Sequence, residues 1–275
     1  MSDFCVEHGS NGVVVEDESA DIVRVRAYFP AEQWKGIEVD LGRFLLRLSD
    51  AFPELPTVAV STTKLKAENW ALAWKIHFKS IEIGNRLVVT PPWITPEARG
   101  REVIIIDPAD AFGTGTHETT QGCMALLEEA VAEFAHPAKR FTMLDVGCGS
   151  GILAIAGIKL GASGVRGIDN DPVAIEAAAR NAALNGVADG VFLECLSVAE
   201  CTEPADIVTA NLDPMGLLSH KDQLMALARR FLIISGVPLD QWERVRPAFQ
   251  TSEFSLLKEI TRSEWGSGLF GRNRY

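Results

Sequence analysis

Residues Phe141 to Gly151 read FTMLDVGCGSG, an apolar run followed by a glycine-rich turn. Its apolar first half is typical of a strand buried on both faces, and Asp145 stands at the end of that strand. Gly147, Gly149 and Gly151 then form a turn that leads into an apolar helix pattern. Glycine lets the backbone approach a ligand closely, and the start of a helix has free N–H groups. Asp145 and the three glycines are therefore candidate ligand-binding residues.

Short apolar runs on both sides of this stretch alternate with helical patterns. The predicted strands are 103–106, 141–146, 165–168, 191–195, 206–210 and 231–234. The predicted helices are 119–134, 151–159, 172–185, 215–229 and 238–249. This alternation predicts an α/β fold with a doubly wound, mainly parallel sheet, whose ligand lies at the carboxyl ends of the strands. The tail over 254–270 is expected to add antiparallel edge strands.

The first part of the chain predicts a smaller α+β domain. Its expected strands are 22–29, 57–60 and 86–89, and its expected helix is 31–48. The pair Pro91-Pro92 then indicates a linker. We therefore expect the smaller α+β domain over 1–90, a linker over 91–100 and a ligand-binding domain over 101–275.

The composition of the 275 residues is that of a globular protein, with 47% hydrophobic and 23% charged residues. Disordered and fibrous classes are thereby excluded. No apolar run approaches the roughly 18 residues of a membrane helix, and MSDFCVEHGS lacks the regions of a signal peptide. We expect a cytoplasmic protein without membrane contact. The five cysteines show no CxxC spacing, so neither a metal site nor a disulfide framework is expected.

The formal net charge of −11 indicates which class of macromolecule the protein can bind. Phosphate binding depends on clustered Lys and Arg, so direct nucleic-acid binding is not expected. Residues 101–275 carry eight of the eleven excess negative charges. A basic protein is therefore the expected partner of this part of the chain.

The details of the glycine turn bear on the cofactor. Asp169 ends the next predicted strand, 22 residues after Gly147, where a carboxylate accepts the hydroxyls of a ribose. A dinucleotide turn, G-x-G-x-x-G, would place a glycine at Ile152, but here the third glycine comes one residue earlier. Asp145 would repel a pyrophosphate and attract an ammonium group. These features favour S-adenosylmethionine; the alternatives are a mere capping role for Asp145 and a nicotinamide-dependent oxidoreductase.

A loop rich in threonine and glycine, DPADAFGTGTHETT at 107–120, precedes a predicted helix. Its hydroxyls and the N–H groups of the helix start suit a segment that folds over a bound ligand. Ordinary helix capping by Thr116 is the alternative. The residues expected to close over the ligand are Phe112, Gly113, Thr114 and Gly115.

Asn211 follows the fourth central strand, at the edge of the sheet where the glycine turn lies. Its side-chain carbonyl is suited to accept an amine N–H and so to aim the nitrogen lone pair at a methyl group. Such an amine must first lose a proton, because lysine has a reference pKa of about 10.4. His117 and Asp213 are candidates for this step, but both also fit structural roles, and no base is assigned.

Five stretches carry a family resemblance: WKIHFKSIEIGNRLVV, DPADAFGTGTHETT, LDVGCGSGILAIAGIKLGA, GIDNDPVAIEAAARNAALNGV and the strand end ANL. In these the chain resembles the ribosomal protein L11 methyltransferases, which are class I S-adenosylmethionine-dependent enzymes. The resemblance implies cofactor contacts from Thr120, Gly147, Asp169 and Asn211, with the loop from Phe112 to Gly115 closing over the site. It also implies a ferredoxin-like first domain that recognises a large-subunit ribosomal protein, and trimethylation of lysine and N-terminal amines.

Two short segments differ from the usual family pattern. The family has Asp-Pro-Gly-Leu where this chain has Asp-Pro-Ala-Asp from Asp107, and Asn-Ile-Leu-Ala where it has Asn-Leu-Asp-Pro from Asn211. Asp213 adds a negative charge beside the expected position of the amine. A lysine methyltransferase of another basic protein is therefore an alternative, and an inactive binding module is a third reading.

Overall fold

The computed structural model describes residues 4–5, 8–10, 12–19, 22–31, 33–51, 58–64, 79–107, 115, 117–134 and 140–273. The chain divides into two compact units, Met1–Lys75 and Ile76–Tyr275. The linker expected at 91–100 lies inside the second unit. The reason is that the strands on either side of that stretch, Leu87–Thr90 and Glu102–Ile105, pair in parallel within one sheet.

In the first unit, β1 (Gly12–Ser19) pairs antiparallel with β2 (Ile22–Tyr28), and α1 (Trp34–Ala51) follows. The strand and helix expected here are present within a few residues. The strand expected at 57–60 is wrong over residues 58–60, which form no regular element. Residues 52–57 and 65–78 lie outside the described part, so a ferredoxin-like domain stays a prediction.

The second unit contains a mixed sheet of seven strands, with the order β11-β12-β10-β9-β6-β7-β8. The five strands from β6 to β10 are parallel, and β12 joins β10 and β11 antiparallel. The predicted α/β class and the antiparallel edge strands are confirmed. The strands are β6 (Thr142–Val146), β7 (Gly164–Asp169), β8 (Val191–Cys195), β9 (Ala205–Asn211), β10 (Ala228–Pro238), β11 (Phe254–Arg262) and β12 (Trp265–Arg272).

Helices connect these strands. They are α2 (Glu118–Ala132), α3 (Ile152–Lys159), α4 (Pro172–Leu184), α5 (Pro214–Ser219), α6 (Lys221–Leu227) and α7 (Leu239–Val245), with short 3₁₀ turns at 188–190, 198–200 and 246–249. The single helix expected at 215–229 is two helices that meet at His220, and its last two residues belong to β10.

A separate sheet of three strands comprises β3 (Ile81–Ile83), β4 (Leu87–Thr90) and β5 (Glu102–Ile105). The run at 103–106 was expected in the central sheet, and that placement is wrong. Leu87 and Ile104 are fully buried and share a hydrophobic core with Met124 of α2. The small sheet therefore packs beside α2 rather than extending the central sheet.

Alternate residues of the central strands face opposite sides of the sheet. Met143 and Ile207 lie in the core under α2, α3 and α4, whereas Leu144 and Val208 lie in the core under α5, α6 and α7. Helices on both faces explain why the strands read as unbroken apolar runs. By the same alternation, Asp145 faces the side of α2 and α3.

Candidate functional site

The glycine turn lies at the carboxyl end of β6, where the sequence predicts it. Gly147, Gly149 and Gly151 have φ angles of +66°, +52° and +77°, in the left-handed region. The amides of Gly147 and Cys148 donate to the Ile168 carbonyl oxygen at 2.9 and 3.0 Å. The turn is thereby fixed against the end of β7, and a Cβ at Gly147 or Gly151 would stand within 3 Å of the side chains of Leu212 and Ala178.

Asp169 ends β7 beside this turn. Its Oδ2 accepts a hydrogen bond from the Gly149 amide at 2.9 Å, and its Oδ1 accepts one from the Asp171 amide at 3.0 Å. A carboxylate has about four acceptor positions, so two backbone donors orient the group and leave others available. The structure therefore brings together the turn and the acidic residue that the sequence assigned to a ribose.

Asp145 is fully buried at the end of β6. Its Oδ1 accepts a hydrogen bond from the Thr209 hydroxyl at 2.7 Å, while Oδ2 has no hydrogen-bond partner among the described residues. Burial raises the pKa of the Asp145 carboxyl to about 7; the Thr209 hydroxyl and the Ala154 amide lower it, and the charge of Asp169 raises it further. A buried carboxylate oxygen without a partner costs free energy, so this atom suits a cationic ligand.

Asn211 ends β9 on the same edge of the sheet. Its Nδ2 donates to Thr119 Oγ1 at 3.3 Å, and that oxygen lies 2.8 Å from His117 Nδ1. Thr120, the next residue of α2, is 1% exposed, and within the part of the chain that the structure describes its hydroxyl has no partner. The start of α2 thus contributes two buried threonines beside the end of β9.

Two serines support this arrangement. Ser235 Oγ donates to the Thr119 carbonyl oxygen at 3.1 Å and lies 2.7 Å from Ser267 Oγ. Sequence reasoning missed Thr119, Ser235 and Ser267, because they come from α2, β10 and β12. One signal was available: the pair Ser235-Gly236 follows an apolar strand at the carboxyl edge, as the glycine turn does after β6.

His117 and Asp213 both cap helices. His117 Nδ1 accepts from the Thr119 amide at the start of α2, and its ring meets the Trp265 ring edge-on at 5.0 Å between centroids. Asp213 Oδ1 accepts from the Gly216 amide at 2.8 Å, at the start of α5. Each residue has the structural role that the sequence left open.

The loop that the sequence expects to close over the ligand is described only at Gly115, which is buried beside Val89 and Ile152. Phe112, Gly113 and Thr114 lie outside the described residues, and their cofactor contacts stay predictions. Across the described ranges, no group of His, Cys, Asp or Glu has a geometry that could hold a metal ion, and no helix is long and apolar enough to cross a membrane. All five cysteines are free thiols.

These groups fit a cofactor with an adenosine part and an amino-acid part. The orphaned Asp145 oxygen suits an ammonium, the Asp169 carboxylate suits ribose hydroxyls, and the glycine turn between them presents backbone. The Thr120 hydroxyl provides a further unsatisfied polar atom. A dinucleotide would bring its pyrophosphate to the carboxylate of Asp145, which would repel it.

Comparison with known proteins agrees with this chemistry. A family model described as ribosomal protein L11 methyltransferase (PrmA) matches residues 1–272. A ribosomal protein L11 methyltransferase of Geobacter sulfurreducens is 38% identical over 281 residues, covering 96% of this chain and 91% of the relative. One from Streptococcus pneumoniae is 31% identical and covers 100% of this chain and 92% of the relative.

A solved structure is also similar. The crystal structure of a ribosomal protein L11 methylase from Lactobacillus delbrueckii subsp. bulgaricus is 31% identical in sequence. It superposes with a TM-score of 0.63 over 72% of this chain and 100% of the solved chain.

Proposed function

Because the chain belongs to the ribosomal protein L11 methyltransferase family, we propose that it methylates lysine and N-terminal amines of that ribosomal protein. It is an S-adenosylmethionine-dependent enzyme of the class I α/β fold. The observation that carries the site assignment is the position of Asn211, which ends β9 beside the threonines of α2 and on the same sheet edge as the glycine turn.

We propose that four features hold the cofactor. Asp169 accepts the ribose hydroxyls, and the backbone from Gly147 to Gly151 lies along the cofactor. The free oxygen of Asp145 faces the ammonium, and the Thr120 hydroxyl supplies one more polar contact. The Asp145 and Thr120 side chains are both buried, and each has an oxygen without a hydrogen-bond partner among the described residues. This supports their assignment as contacts to a polar ligand.

Bound S-adenosylmethionine supplies an electrophilic methyl group on a sulfonium. The chain's own contribution is positioning: Asn211 Oδ1 accepts an N–H of the incoming amine and fixes the direction of its lone pair. The amine must arrive neutral, and removal from water favours the neutral form of a lysine. His117 Nδ1 and Asp213 Oδ1 are already engaged in helix caps, so we assign neither as a base and propose that the proton leaves to solvent.

Charge supports a basic protein as the substrate. Residues 101–275 hold eight of the eleven excess negative charges, so this part attracts a cationic partner and repels RNA. Asp213 follows Asn211 by two residues. Its negative charge is compatible with the substrate ammonium before the ammonium loses its proton. The five free thiols support action in the reducing cytoplasm, which we include in the proposal.

The test uses the purified protein, labelled S-adenosylmethionine and purified ribosomal protein L11. We expect label on the ribosomal protein, and mass spectrometry of the product to place it on lysine and N-terminal amines. Raising salt should increase KM for the protein substrate and leave the Kd for S-adenosylhomocysteine unchanged.

Three outcomes would contradict the proposal in different ways. Label on another basic protein of a lysate, but not on L11, would correct the substrate. No label on any protein would reject the transfer reaction for this chain. Calorimetry that shows tighter binding of NAD than of S-adenosylhomocysteine would reject the assigned cofactor site.

A further inference from the structure

The proposed role of Asn211 depends on which end of its carboxamide faces the amine. An oxygen facing the substrate accepts an N–H, whereas an NH₂ group there would donate and oppose the lone pair. Rotation about the last torsion of an asparagine side chain is broad and roughly two-fold, so the side chain does not choose by itself. A neighbouring residue has to set the orientation.

We propose that Thr119 is a positioning residue that orients the Asn211 carboxamide for methyl transfer; the inference rests on the proposed function. Thr119 Oγ1 lies 3.3 Å from Asn211 Nδ2 and 2.8 Å from His117 Nδ1. Through these contacts Thr119 connects the start of α2 to the end of β9.

The direction of these hydrogen bonds follows from the tautomer of His117. His117 Nδ1 lies 2.8 Å from Thr119 Oγ1 and accepts the Thr119 backbone N–H at 3.4 Å. We assign His117 the tautomer with its proton on Nε2, in which Nδ1 accepts the Thr119 hydroxyl proton and Oγ1 keeps only lone pairs for Asn211. The carboxamide must then present its NH₂ group to Thr119, which turns Oδ1 away from it.

Thr119 is itself held rigidly. It is 1% exposed, and its carbonyl oxygen accepts the Ser235 hydroxyl at 3.1 Å. Ser235 in turn lies 2.7 Å from Ser267 Oγ on the neighbouring strand β12. Within the described part of the chain, no protein donor is assigned to Asn211 Oδ1, which is therefore the acceptor left for the substrate.

The experiment compares Thr119→Val with Thr119→Ser. The valine variant keeps the shape but loses the hydroxyl, so Asn211 is released and kcat should fall about 10- to 100-fold. KM for ribosomal protein L11 and the Kd for S-adenosylhomocysteine should stay within about twofold. The serine variant keeps the hydroxyl and should recover most of the rate.

Thr142→Val is the matched control. The Thr142 hydroxyl donates to Asp206 at 3.1 Å, at the amino end of β6 and so at the opposite edge of the sheet. This variant likewise removes one hydrogen-bonded hydroxyl, from a partly buried threonine, and its kcat should match that of the wild type. An equal loss of kcat in both valine variants would mean that lost stability, not positioning, causes the effect.

A double variant and a spectrum complete the test. Thr119→Val should add no further loss of kcat to Asn211→Ala, because the hydroxyl then has no carboxamide to orient. In heteronuclear NMR spectra without cofactor, Thr119→Val should shift the Asn211 side-chain NH₂ signal, which the Asn211→Ala spectrum identifies.

The outcomes separate the two proposals. Full activity of Asn211→Ala would overturn the role of Asn211 and with it this inference. A rate that is lost in Asn211→Ala but kept in Thr119→Val would overturn the positioning role alone, as would an unshifted NH₂ signal.

Discussion

Gly236 lies so close to Leu212 that a Cβ on Gly236 would stand 2.2 Å from the Leu212 carbonyl oxygen. The Leu212 amide also donates to the Ser235 carbonyl oxygen at 3.2 Å. Leu212 directly follows Asn211, so the end of β10 fixes the backbone that carries the proposed amine-binding side chain. The φ angle of Gly236, +88°, adds a second reason for glycine at this position.

Gly236→Ala should therefore lower both stability and rate. Gly161→Ala is the matched control: Gly161 has a φ angle of +106°, but apart from Gly161 and its two chain neighbours no atom of the described residues lies within 4 Å of the position that its Cβ would take. The control should lose about 1–3 kcal/mol from backbone strain alone. Gly236→Ala should lose about 1–3 kcal/mol more, because the methyl group overlaps backbone atoms. Chemical unfolding measures the free energy of unfolding of the two variants. Equal losses would contradict the close approach of Gly236 to Leu212.

Thr120→Val separates cofactor binding from stability. The Thr120 hydroxyl is buried without a partner among the described residues, so its removal should stabilise the free protein by about 1 kcal/mol. The same change should raise the Kd for S-adenosylhomocysteine about tenfold through loss of one hydrogen bond. Thermal unfolding and calorimetry give the two numbers. A fall in both stability and affinity would instead indicate a structural hydroxyl.

Asp145 should make stability depend on pH. Its ordinary pKa of 3.8 rises to about 7 on folding, chiefly because of burial. Between these values the folded chain holds one proton more than the unfolded chain, so the free energy of unfolding falls as pH rises. The stability that the bound proton of Asp145 contributes is fully present below about pH 4 and is lost as pH rises through about 7.

Asp145→Asn removes this titration and keeps the shape. The free energy of unfolding of the wild type, relative to that of the variant, should fall as pH rises from about 4 to about 7. The fall should be a few kcal/mol at most, because a shift of one pKa unit corresponds to about 1.4 kcal/mol. Unfolding by urea at several pH values, without cofactor, measures the difference. Two parallel curves would show that the carboxyl stays ionised in the folded protein.

Asp169→Asn should weaken cofactor binding. Loss of the charged acceptor should cost about 1–3 kcal/mol of binding free energy for S-adenosylhomocysteine. Asp171→Ala is the control two residues away: it removes the cap in which Oδ1 accepts the Val173 amide at 2.9 Å. The control should lose about 1 kcal/mol of stability and keep its affinity. Unchanged affinity in Asp169→Asn would remove this residue from the site.

Much of the fold was predictable because the relevant signals are local. Runs buried on both faces mark β6 to β9 within about a residue of their bounds, and the glycine turn with Asp145 marks where β6 ends. Asp169 was predictable for the same reason, since it ends the strand after the turn. Parallel strands place their carboxyl ends on one edge, so Asn211 could be assigned to that edge from strand order alone.

Other features depended on which strands pair, and periodicity carries no such information. The run at 103–106 has the apolar pattern of a central strand, yet it pairs with β4 in the small sheet. The helix pattern at 215–229 did not show the break at His220.

The α/β class, the order of the central strands from β6 to β10 and the residues at the ends of β6, β7 and β9 follow from the sequence alone. What holds Asn211 became visible only in the folded chain. Thr119, Ser235 and Ser267 lie far apart in the chain and meet through hydrogen bonds between α2, β10 and β12. A hydroxyl has no fixed partner until folding brings one within about 3 Å, so the sequence names the donors but not the bonds.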